Sequence, residues 1–126
     1  MQISKTKLNP KIDKQIKDML IQVAADLKSQ HEVKVFLGDF LTPAEFLTLA
    51  KRLAIAVFLE KGKSYDEIRK ILKVSSATIA SVQAMLEQPS AGFKLAIKQL
   101  KAEEWAQAWA GKISKFFLGV TSNKES

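Results

Sequence analysis

The chain contains no cysteine, a single histidine, three prolines and five glycines in 126 residues. Without cysteine there is no disulfide framework, no thiolate metal site and no thiol nucleophile, and a reducing cytoplasm is the expected compartment. So few glycines and prolines exclude collagen-like and Pro/Gly-rich disordered chains. The lone His31, beside Glu32, makes a poor metal site, and no metal is expected. The longest apolar segment is interrupted by Lys51 and Arg52, and Met1 to Asn9 lacks the apolar stretch of a secretory signal, so a soluble protein is expected. There is no glycine-rich phosphate loop, and no nucleophile has a base at a recognisable spacing. The carboxylates fall mostly on solvated helix faces, so no enzyme is expected.

Apolar residues make up 47% and charged residues 26%, which suits one folded domain with a packed core. The net charge of +7 suits a polyanionic partner such as nucleic acid. That surplus sits at the ends: residues 1–31 carry +3, 32–89 carry +1 and 90–126 carry +3.

Period-2 alternation is nowhere sustained, whereas 3.6-residue patterning with start and stop signals recurs, which predicts an all-helical chain. Asn9-Pro10 reads as an N-cap and a first-turn proline, followed by the stripe Ile12, Ile16, Leu20, Val23 and Leu27 ending near Gln30. A short helix is expected from Glu32 to Leu37, stopping at Gly38. Thr42-Pro43-Ala44-Glu45 predicts a capping box opening a helix that runs to about Lys61 and ends at Gly62. Between Phe46 and Leu59 only Thr48, Lys51 and Arg52 are polar, so the helix must be surrounded. Part of that cover is expected from a second copy, with Ile16, Leu20, Phe46, Leu49, Leu53 and Val57 in the dimer core.

Ser64 to Val82, SYDEIRKILKVSSATIASV, carries the functional signal. Ser64 and Glu67 predict a second capping box, Ile68, Ile71 and Leu72 an apolar face, and the pattern breaks at Lys73. Val74 plugs the turn. Ser75 then caps a helix whose inward positions are Ile79, Val82 and Leu86. This spacing is that of a helix-turn-helix, whose second helix needs small or hydrogen-bonding side chains outward to enter a major groove. Ser76, Ala77, Thr78, Ala80, Ser81 and Gln83 lie outward or on the flanks; Ala77 or Thr78 suits a thymine methyl, Gln83 an adenine edge, and the helix N-terminus near Ser75 and Ser76 a phosphate. The second helix has no Lys or Arg, so phosphate contacts are expected from the first helix and its approaches, where Lys61, Lys63, Arg69, Lys70 and Lys73 face only Asp66 and Glu67. The competing reading is a capped hairpin in a bundle whose small residues only allow close packing.

The stretch from Phe40 to Leu86, FLTPAEFLTLAKRLAIAVFLEKG followed by SYDEIRKILKVSSATI, resembles the Trp repressor superfamily and specifically its Trp-repressor-like (YerC/YecD-like) regulators. The resemblance implies an intertwined, all-helical homodimer in which long central and N-terminal helices interlock and two reading heads protrude. It implies a transcriptional regulator, and it points to Arg69 in the first helix and to Ser76, Ala77, Thr78 and Ala80 in the second as DNA contacts. Such dimers, the Trp repressor itself among them, place their reading helices about one DNA turn, ~34 Å, apart and favour palindromic operators. In the tryptophan-sensing members two arginines sandwich the corepressor's indole. Arg52 matches the first, but Ser81 stands at the second and offers neither cation nor stacking plane. Arg52 and Ser81 thus mark an effector pocket from which tryptophan binding is not expected.

Trp105 and Trp109, with Ile113, Phe116 and Val120, make an apolar face whose commoner role is core, with room for a protein partner. Phe93, Ile97 and Leu100 point elsewhere, so a break near Lys101 to Glu103 is expected. The whole chain is expected to be one helical domain. Residues 1–38 hold dimerisation helices, 39–88 a core with the helix-turn-helix at 64–86, and 89–126 a C-terminal helical extension. The functional expectation is a cytoplasmic, nucleoid-associated, sequence-specific DNA-binding regulator without cofactor. The runner-up is a helical protein-interaction adaptor on the same scaffold.

Overall fold

The computed structural model describes residues 6–100, and all of them that lie in regular structure are helical. The order is α1 (Pro10–Asp26), α2 (Gln30–Phe40), α3 (Pro43–Glu60), α4 (Tyr65–Leu72), α5 (Ser76–Glu87) and α6 (Ala91–Gln99). No helix among the described residues is long and apolar enough to cross a membrane. Trp105, Trp109 and the expected break after Leu100 lie outside the described residues. The described residues divide into two compact units, 6–46 and 47–100.

In the first unit, the Asn9 side chain accepts from the Lys11 N–H at 2.8 Å, with Pro10 in the first turn, as the sequence predicts. The helix ends earlier than expected, at Asp26 and not near Gln30, with Leu27 extended. A competing start explains this. Ser29 accepts from the Glu32 N–H at 3.1 Å while the Glu32 carboxylate accepts from the Lys28 N–H at 2.8 Å, so α2 opens at Gln30. The expected stop at Gly38 is also corrected. Gly38 is not at positive φ, the helix passes through it to Phe40, and the Leu41 N–H still donates to the Leu37 carbonyl at 3.0 Å. The Phe36 and Phe40 rings stack at 5.0 Å across that last turn. What ends α2 is the next helix start: Thr42 precedes a proline, which disfavours helical backbone there. Thr42 accepts from the Glu45 N–H at 3.1 Å, and Glu45 accepts from the Thr42 N–H at 2.9 Å, forming the expected capping box. No described residue of α1 or α2 is buried, and the α1 stripe of Ile12, Ile16, Leu20 and Val23 is open to solvent.

In the second unit, the expected end of α3 at Gly62 is met by a Schellman arrangement: Gly62 takes φ +77°, its N–H donates to Leu59, and the Lys63 N–H to Phe58, each at 3.0 Å. The buried part of α3 is Ala54 to Phe58. Ala54, Ile55, Ala56 and Phe58 form one core with Ile68 and Leu72 of α4 and Ile79 and Val82 of α5. Val74 and Leu86 pack onto it from the turn and from the end of α5. Val57, 1% exposed, lies apart from this core against Ile97 and Leu100, so its cover comes from its own chain. The N-terminal half of α3 is uncovered, with Leu47, Leu49 and Leu53 at 56, 45 and 37% exposed.

Candidate nucleic-acid interface and the adjoining cleft

The α4–α5 hairpin rests on three caps. Ser64 and Glu67 exchange hydrogen bonds, the Ser64 Oγ accepting from the Glu67 N–H and the Glu67 carboxylate from the Ser64 N–H, both at 3.2 Å. Ser75 accepts from the Thr78 N–H at 3.2 Å and opens α5. Between them α4 closes at Lys73, a non-glycine residue in the left-handed region at φ 55°. A Cβ there opposes the following carbonyl, so glycine would be the unstrained choice. Lys73→Gly is therefore expected to raise the unfolding free energy by about 1 kcal/mol in urea titrations. An equal or lower value would refute strain at this turn.

With Ile79 and Val82 buried in the core, Ser76, Ala77, Thr78, Ala80 and Ser81 are left exposed on α5. Small side chains here keep the surface low enough for the helix to enter a groove. Thr78 shares a 3.0 Å hydrogen bond with the Ser75 hydroxyl, and Ser81 donates to the Ala77 carbonyl at 3.0 Å. Gln83 lies on a different side: it is half-buried, and the Tyr65 hydroxyl donates to its carbonyl, tying the start of α4 to α5. Its side-chain acceptor is thus engaged within the hairpin instead of standing on the open face.

Arg69 and Lys70 are exposed on α4, and both reach Asp66, at 2.9 and 3.0 Å. Lys70 chiefly, with Arg69, holds the Asp66 carboxyl below its ordinary value. Exposed pairs of this kind contribute little to stability, so phosphates can compete for both cations. Lys63, half-buried, and Lys73, exposed, border the two ends of α4.

The capping carboxylates make a pH prediction. The Glu67 carboxyl is held low mainly by the Ser64 backbone N–H, and that of Glu45 mainly by the Thr42 backbone N–H. A depressed folded-state pKa means that the unfolded chain binds the proton more tightly. The stabilisation is fully present above the ordinary glutamate value of 4.5 and is lost as pH falls through the depressed folded values. Melting temperatures should therefore fall with acid below about pH 4.5, and Glu45→Gln and Glu67→Gln should each flatten that fall. Parallel pH profiles for wild type and variants would show that the caps carry no proton linkage.

Beside α5, against α3, lies a cleft of about 410 Å³. Lys51, Arg52, Lys73, Ser75, Thr78 and Ser81 contribute to its lining. Arg52 and Ser81, paired in the sequence reading as an effector pocket, thus line the same cavity. Lys51 was not among the expected residues; its ammonium donates to the Lys73 carbonyl at 3.5 Å, a link over 22 positions that no local pattern announces. The Asp66 tie had a legible signal, since it stands three and four residues before Arg69 and Lys70.

The sequence profile of the family described as Trp repressor protein matches residues 15–101. The chain belongs to this family. Over 87 residues, 69% of this chain and 84% of the relative, it is 31% identical to a Bacillus subtilis (strain 168) protein described as Uncharacterized protein YerC. No solved structure matches. The family match takes in most of α1, α2 to α6 and the whole hairpin. The segment bearing Trp105 and Trp109 lies beyond it.

Proposed function

We propose that this Trp repressor family protein is a sequence-specific DNA-binding transcriptional regulator acting as a homodimer, through α5 in the major groove. The observation that carries this reading is the hairpin: α4 and α5 are pinned by Ile68, Leu72, Ile79 and Val82, while Ser76, Ala77, Thr78 and Ala80 stay exposed on a helix without Lys or Arg. Base reading falls to Ser76, Ala77, Thr78 and Ala80. Phosphate attachment falls to Lys63, Arg69, Lys70 and Lys73. Gln83 serves the hairpin's internal tie to Tyr65.

The dimer reading rests on the open apolar surface. Ile16 and Leu20 of α1 and Leu49 and Leu53 of α3 are exposed, and Phe46 is only half-buried. Covering the exposed part of each of these side chains with a second copy recovers roughly half of the 1.5–3 kcal/mol that full burial of an aliphatic side chain contributes. One hairpin with a few phosphate contacts binds weakly; two on a twofold axis reach successive turns of one groove. Ser81 opposite Arg52 leaves no second guanidinium to stack on an indole, so the regulator works without tryptophan. Its place is the cytoplasm, at the nucleoid.

Selection of bound duplexes from random DNA tests the reading, with a twofold-symmetric consensus as the expected result. Arg69→Ala should weaken all duplexes alike and lower the salt slope by about 0.9 per copy, while Thr78→Ala should change base preference by about 1–3 kcal/mol at one position of each half-site. Recovery of no preferred sequence, together with no steep fall of duplex affinity between low and physiological ionic strength, would favour the adaptor reading and a protein partner.

A further inference from the structure

We propose that the cleft between α3 and α5 is an oxyanion site that holds a phosphate group between Lys51, Arg52 and Lys73. That phosphate belongs either to the DNA backbone or to a small phosphorylated molecule. The first source rests on the DNA-binding reading; the second does not.

Three cations line one cavity of about 410 Å³, and no carboxylate lines it. Among the described residues none of the three is paired with Asp or Glu, whereas Lys14, Lys17, Arg69 and Lys70 all are. Like charges gathered around a confined space repel one another, and an anion placed among them relieves that repulsion. Lys51 reaches across to the Lys73 carbonyl, bringing the α3 ammonium to the turn between α4 and α5, and that single bond leaves two of its three donors free. Arg52 adds a planar fork suited to two oxygens of one phosphate. Lys73 holds the left-handed turn position where glycine would be unstrained, so a cation is kept there at a conformational cost.

The hydroxyls complete the site. Ser75 and Thr78 share one hydrogen bond at 3.0 Å, so whichever oxygen accepts keeps its own proton for a ligand. Ser81 has spent its proton on the Ala77 carbonyl. Val82 and Met85 make part of the wall apolar.

The test uses Lys51→Gln, Arg52→Gln and the double variant, with folding followed by circular dichroism; Lys14→Gln matches the charge change of each single variant, and Lys14→Gln combined with Lys17→Gln that of the double variant. Inorganic phosphate is titrated at constant ionic strength and followed by the amide shifts of Ser75, Thr78 and Ser81. Saturable binding by wild type, at least about tenfold weaker in the double variant and unchanged in Lys14→Gln combined with Lys17→Gln, supports the site and identifies a free phosphorylated ligand as its source. The other supporting result is no binding of free phosphate, together with a duplex salt slope that falls by about 0.9 per removed cation per copy. That assigns the site to the DNA backbone. The proposal is overturned if neither measurement changes, or if Lys14→Gln behaves like the cleft variants. Failure of the DNA reading alone would show as wild-type phosphate binding without duplex binding.

Discussion

Phe58→Ala is expected to lower the unfolding free energy by about 3–5 kcal/mol, the cost of removing a buried aromatic ring and leaving a cavity. Phe58 is 1% exposed and belongs to the cluster that joins α3, α4 and α5, so no neighbouring surface can collapse into the space without moving a helix. A loss of this size is a large part of the whole stability of a domain. Urea titration at fixed protein concentration measures it. Because the same cluster holds the hairpin, the proposed DNA binding should weaken together with stability. A loss below about 1 kcal/mol would place Phe58 outside the core and undo the account of how α5 is held.

If the proposed homodimer grips DNA with two heads, Leu49→Gln combined with Leu53→Gln converts it to a monomer in sedimentation and reduces specific duplex affinity by about 100-fold or more, while helix content stays near wild type. Neither leucine is buried within its own chain, so the intrachain core loses little. Glutamine keeps the net charge at +7, so the attraction to phosphates is unaltered and the loss reports on the second reading head alone. A variant that stays dimeric, or a monomer with unchanged affinity, would refute the twofold grip.

The two helix boundaries that differ from expectation share a physical origin. Gly38 reads as a stop because glycine favours left-handed caps, yet glycine also tolerates ordinary helical φ. The cap that forms, Thr42 with Glu45, lies four residues later. Similarly, the α1 stripe continues to Leu27, but the Ser29 cap has greater local weight and starts a new helix.

Local chemistry along the chain determined the helical class, the capping boxes at Thr42 and Ser64, the cap at Ser75, the break at Lys73 and the inward set Ile68, Leu72, Ile79 and Val82. These are interactions over three or four positions, or periodicities of one face, and both are written in neighbouring residues. Only the tertiary structure decided that Gln83 is tied to Tyr65, that Val57 is covered by Ile97, and that Lys51 joins Arg52 and Lys73 around one cleft. Each of these links residues 18 or more positions apart. Spacing along the chain cannot announce such a meeting, because it exists only once packing has set the angle between two helices.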